Sequence, residues 1–78
     1  MAMYIEMDKV EDTDGYVIYA FGRDPQLGLI RLNKKTETVH ILKECPLDTS
    51  GRWSERATVK LVLLWRSGAL PETTQWAS

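Results

Sequence analysis

Few residues in this chain are suited to chemistry. His40 and Cys45 are its single histidine and single cysteine, five positions apart, and together they make the one possible thiol–imidazole pair. Nucleophilic attack by such a pair needs a third group to orient the imidazole and a cleft to hold a substrate. Neither is evident in the sequence, and Cys45 directly precedes a proline. A small cysteine packed in the core is the better reading. Glu6 and Asp8 would share one face of a strand, where paired carboxylates perturb each other's protonation. On an exposed strand they read as solvated charges.

One His with one Cys cannot complete a zinc site within a single chain. The five glycines, Gly15, Gly22, Gly28, Gly51 and Gly68, are dispersed as turn and cap residues instead of forming a phosphate loop. No cofactor and no metal are therefore expected. A nucleic acid would have to use Arg31, Lys34, Lys35 and Lys43, but these are few and are not interleaved with aromatics along a strand. Ten basic against eleven acidic residues give a net charge of −1, the wrong balance for binding a phosphate backbone or an anionic membrane.

The elements that must carry these residues follow from periodicity. Met3, Ile5 and Met7 alternate with polar neighbours, which predicts a half-buried strand over about 3–10. The acidic run from Glu11 through Asp12 and Asp14 to Gly15 reads as a turn. Tyr16 to Phe21 is β-branched and aromatic, predicting a second strand over about 15–22. Further strands are expected over 28–33 and 37–43, joined by a short turn beginning at Asn33. Short connections favour antiparallel neighbours. After Cys45-Pro46, Ser54 is the expected N-cap of a helix over 54–67. Glu55 lies in its first turn and Arg66 in its last, Gly68 is at the left-handed C-cap and Pro71 follows. The tail 71–78 carries Trp76, which implies that it is docked.

The expectation is one α+β domain over 1–78: a four-stranded antiparallel β-meander followed by a C-terminal helix packed on one face of the sheet. Its expected core is Ile5, Met7, Val17, Tyr19, Phe21, Ile30, Leu32, Val39, Ile41, Leu61, Leu64 and Trp65. No run of about 20 apolar residues exists to span a bilayer. The start, at Met1 or Met3, lacks the basic and apolar regions of a signal peptide, so a cytoplasmic protein with a reduced cysteine is expected.

Apolar side chains are left over by this arrangement. Ala57, Leu61, Leu64 and Trp65 form the sheet-facing side of the helix, while Val59 and Leu63 lie opposite, amid Arg56, Lys60 and Arg66. If Val17, Tyr19 and Phe21 face the helix, Tyr16, Ile18 and Ala20 face the other way. Charge is also uneven. The stretch from Met1 to Pro25 has six acids and two bases, a net of −4; the remainder has five acids and eight bases, a net of +3.

A protein partner would use these surplus groups: Glu6, Asp8, Glu11, Asp12, Asp14, Tyr16, Ile18, Arg56, Val59, Leu63, Arg66 and Trp76. The expected function is a small protein-interaction module acting by binding, in one form an inhibitor or immunity-type protein whose acidic hairpin blocks a basic groove. The alternatives are a homodimeric structural domain and, ranked last, a small enzyme or ligand-binding domain using His40 and Cys45.

Overall fold

The computed structural model describes residues 4–77. Met3, the choice of start between Met1 and Met3, and Ser78 of the tail lie outside the described residues. The elements run β1 (Tyr4–Asp12), β2 (Tyr16–Arg23), β3 (Gln26–Asn33), β4 (Thr38–Lys43), α1 (Arg52–Ser67) and β5 (Thr73–Ala77). All strand pairs are antiparallel, in the order β4-β3-β2-β1-β5. The four-stranded expectation is thus corrected to five strands. The tail forms β5 and closes the edge beside β1, from Tyr4 opposite Ala77 to Asp8 opposite Thr73.

Local side chains set the turns. Between β1 and β2, the Thr13 hydroxyl accepts hydrogen bonds from the amides of Gly15 (3.2 Å) and Tyr16 (3.1 Å). The turn therefore starts at Thr13, and Glu11 and Asp12 are strand residues. Between β3 and β4, the Asn33 side-chain oxygen accepts from the amides of Lys35 and Thr36. β3 begins at Gln26, two residues earlier than its sequence suggests.

The helix begins at Arg52, not Ser54. Its N-cap is Gly51, which makes no side-chain cap. The cap comes from outside the helix: the Asp48 carboxylate accepts from the amides of Trp53 (3.3 Å) and Ser54 (3.1 Å). Burial pushes the Asp48 carboxyl up, but these hydrogen bonds outweigh it and hold the group below the ordinary 3.8. Its contribution to stability is therefore present above that value and is lost as pH falls through the lower folded one. Gly68, at φ 83°, closes the other end, its amide bonding back to the last turn.

The core lies between α1 and the inner face of the sheet. Ile5, Met7, Val17, Tyr19, Phe21, Ile30, Leu32, Cys45, Ala57 and Leu61 are buried there, with Val39, Trp53, Trp65 and Trp76 packed around them. Leu64 is half-buried. Ile41 departs from the expectation: it is 49% exposed. Its partner is Ile30, so it faces inward, but β4 is an edge strand. A helix about 10 Å across cannot cover five strands spanning roughly 20 Å. The Tyr19 hydroxyl donates to the Pro71 carbonyl and ties the entry of β5 to the core. Burial, with the nearby charges of Asp12 and Glu72, pushes that phenol up to about 12.

Past β4 the chain folds back over the inner face at Gly28. A Cβ there would sit 2.7 Å from the Cys45 amide nitrogen, the Lys43 carbonyl oxygen and the Phe21 ring, whereas one at Gly15 would meet nothing within 4 Å. Two of the three close atoms at Gly28 are backbone and cannot step aside. Gly28→Ala is expected to cost about 2 kcal/mol or more by overpacking, and Gly15→Ala well under about 1 kcal/mol. Urea denaturation checks this; equal midpoints for the two variants would contradict the crossing.

Candidate interaction surface

α1 covers only the inner face, so the pleat decides what is left outside. Strand register assembles the outer face in rows. One row runs His40, Arg31, Ile18, Glu11 across β4, β3, β2 and β1. The next runs Lys43, Leu29, Ala20, Asp8, Thr73, and a third runs Leu27, Gly22, Glu6, Gln75. Tyr16 pairs with Asn33 at one end of β2. A bulge between Lys9 and Glu11 leaves Val10 as the extra residue, 59% exposed, and returns Glu11 to the row of Ile18.

The outer face thus has three zones. Glu6, Asp8 and Glu11 stand exposed along β1. The centre is apolar: Ile18, Leu27 and Leu29 are half-buried, and Ala20 is small enough to be shaded by its neighbours. Arg31 is half-buried on β3, with His40 and Lys43 exposed on β4. Glu11, Tyr16 and Arg31 link the zones. A hydrogen bond to Glu11 raises the Tyr16 phenol above its ordinary value of 10, with burial and the Glu11 charge adding and Arg31 opposing. The Arg31 guanidinium lies 5.7 Å from the Tyr16 ring centre. Its Nε is buried with no hydrogen-bond partner.

Five of the residues singled out in the sequence therefore share one surface: Glu6, Asp8, Glu11, Tyr16 and Ile18. The others do not join it. Asp12, paired with Val17, faces inward. It is held by Lys34 and, at 3.3 Å, by Lys9. The Lys34 hydrogen bond, opposed by burial and helped by Lys9, keeps its carboxyl below 3.8, so Asp12 is a structural ion-pair residue. Asp14 sits at the exposed tip of the β1–β2 turn. Trp76 faces inward on β5 beside Ile5, and Arg56 stacks 5.6 Å above its ring. Both serve to seat the tail. Arg66 bonds Glu37 at 3.1 Å. Val59 and Leu63 are exposed, 40% and 55%, on the far side of the helix.

Cys45 is buried, its thiol donating to the Gln26 carbonyl at 3.4 Å. His40 is exposed on the outer face, so the sheet stands between imidazole and thiol. Lys34 bonds Asp12 and the Thr13 carbonyl and stacks over Trp65, which removes it from any basic patch. A pocket of about 350 Å³ lies between β4 and the start of α1, lined by Ile41, Glu44, Asp48, Thr49, Gly51 and Ser54. Asp48 already occupies its amide donors and adds negative charge, so it is no anion cradle. Among the described residues no group of three His, Cys, Asp or Glu could hold a metal ion, and no helix is long and apolar enough to cross a membrane.

The sequence reading missed Leu27, Leu29, Arg31 and Lys43 as parts of this face. The signal was present in the alternation from Gln26 to Asn33, but starting that strand at Gly28 concealed it. No family model matches the chain, and no curated protein or solved structure matches it.

The Glu11–Tyr16 contact is directly measurable. Glu11→Gln is expected to bring one phenol's ionisation down toward 10 in an ultraviolet pH titration, with Tyr16→Phe identifying the group. An unchanged titration curve would contradict the outer-face network.

Proposed function

We propose that the protein works by contact with another protein through the outer face of its sheet and does no chemistry of its own. One observation supports this reading: a half-buried apolar centre of Ile18, Leu27 and Leu29 around Ala20 is flanked by unmixed charge and is covered by none of the described elements. Interface cores are poor in charge and their rims polar, and this face has that arrangement. An enzymatic reading lacks support because His40 and Cys45 lie on opposite sides of the sheet. A nucleic-acid reading is disfavoured by three carboxylates on the same face.

The helix ridge is a weaker surface. It offers two side chains, Val59 and Leu63, and its flanking Arg56 and Arg66 are engaged with Trp76 and Glu37. An inhibitor or immunity-type role is one form of the proposal, with Glu6, Asp8 and Glu11 as the anionic edge and Asp12 excluded. A cytoplasmic setting fits a single unpaired cysteine.

Site-specific photo-crosslinking in the source cell tests the reading. A photoreactive phenylalanine analogue replacing Ile18 or Leu29 is expected to yield protein adducts, and one replacing Thr36 none. Adding Asp8→Lys with Glu11→Lys should abolish the adducts. Adducts that ignore the charge change, or arise equally from position 36, would refute the proposal.

A further inference from the structure

Resting on that contact reading, we infer that the partner is a second copy of this chain, packed outer face to outer face about a two-fold axis parallel to the strands. The charge layout selects this geometry. Acids lie on β1 and bases on β3 and β4, to either side of β2. Two sheets stacked face to face are about 10 Å apart. A two-fold axis perpendicular to the strands would set β1 over β1 and place Glu6, Asp8 and Glu11 against their own copies, which is repulsive. An axis parallel to the strands, through β2, keeps each row in register with itself and exchanges its ends.

The row His40, Arg31, Ile18, Glu11 then reads against its own reverse. Glu11 of one copy meets Arg31 of the other, Ile18 meets Ile18, and Arg31 meets Glu11. In the next row Ala20 meets Ala20, small on small, and Asp8 meets Leu29, one strand's width from Lys43. Isologous contacts of this kind close on themselves and do not propagate into fibres.

The state of Arg31 supports this occupant. Among the described residues it makes no ion pair, and its Nε has no hydrogen-bond partner, although it is half-buried. Its positive charge is therefore unmatched by any described carboxylate, and the two-fold supplies Glu11; the Nε itself is buried within the chain and is not the atom that would meet it. The area points to a weak contact. Five strands at about 4.8 Å spacing and some 20 Å long present roughly 500 Å² per copy. That is the lower end of specific interfaces, so a reversible dimer is expected.

Sedimentation equilibrium of the purified chain, with charge exchange, is the test. Wild type is expected to pass from 8.9 kDa to twice that mass as concentration rises. Glu11→Arg alone and Arg31→Glu alone should each weaken the dimer by at least about tenfold. An equimolar mixture of the two should associate again, because both inter-copy pairs are then opposite in sign. Leu63→Glu should leave association unchanged. If Arg31→Glu does not fold by circular dichroism, Asp8→Lys and Lys43→Glu, both exposed, form the exchange pair. A chain that stays at 8.9 kDa throughout, or a dimer broken by Leu63→Glu but not by charge reversal, would overturn the inference. In either case adducts from position 18 to a different protein would leave the contact reading standing.

Discussion

A pleated sheet has two faces, and the described residues of this chain form one helix with which to cover them. β2 shows the consequence residue by residue. Val17, Tyr19 and Phe21 are fully buried on the side of α1, while Tyr16 and Ile18, made of the same kinds of side chain, are only half-buried on the other face, where no described element packs, and Ala20 is shaded by its neighbours. Burying apolar surface is worth about 25 cal/mol per Å², so the part of Tyr16 and Ile18 that stays exposed is apolar surface a contact could still bury. Even the inner face is imperfectly roofed, since a single helix leaves the edge strands to their own devices. The loop through Cys45 shields Gly28 on one side, and Trp76 beneath Arg56 fills the other.

Charged residues divide by the same logic. Those near the inner face are neutralised within the fold. Asp12 is held between Lys9 and Lys34, Asp48 by the first amides of α1, and Arg56 is stacked on an indole. Those on the outer face are not. Among the described residues Glu6 and Asp8 make no ion pair, and Arg31 has an aromatic ring in place of a carboxylate. Small domains that bury little surface gain most from association. Such separated charges fix the orientation of a contact more than its strength.

Much of this was legible in the sequence. Period-two patterning located the strands, and Gly68 with Arg66 located the helix end, because both signals are local. The fifth strand was not legible. Thr73 to Ala77 is short and polar, and its pairing with Tyr4 to Asp8 spans nearly the whole chain. Trp76 signalled docking but not the form it takes. The helix start was misplaced for a related reason: the cap is supplied by Asp48, from outside the helix, so Ser54 looked like the better cap in isolation. Asp12 and Glu11 are nearly identical in sequence terms. A bulge one residue earlier sends one inward to Lys34 and the other outward to Tyr16.

The central proposal, that the half-exposed outer face of the sheet is where a second copy packs, is most directly tested by paramagnetic solvent relaxation of assigned methyl groups. In dilute solution the methyls of Ile18, Leu27 and Leu29 should relax strongly while those of Ile5, Ile30 and Leu61 are protected. On concentration, protection should spread to Ile18 and Leu29 but not to Leu63. Methyls of Ile18 and Leu29 as shielded as Ile30 at the highest dilution would contradict the account.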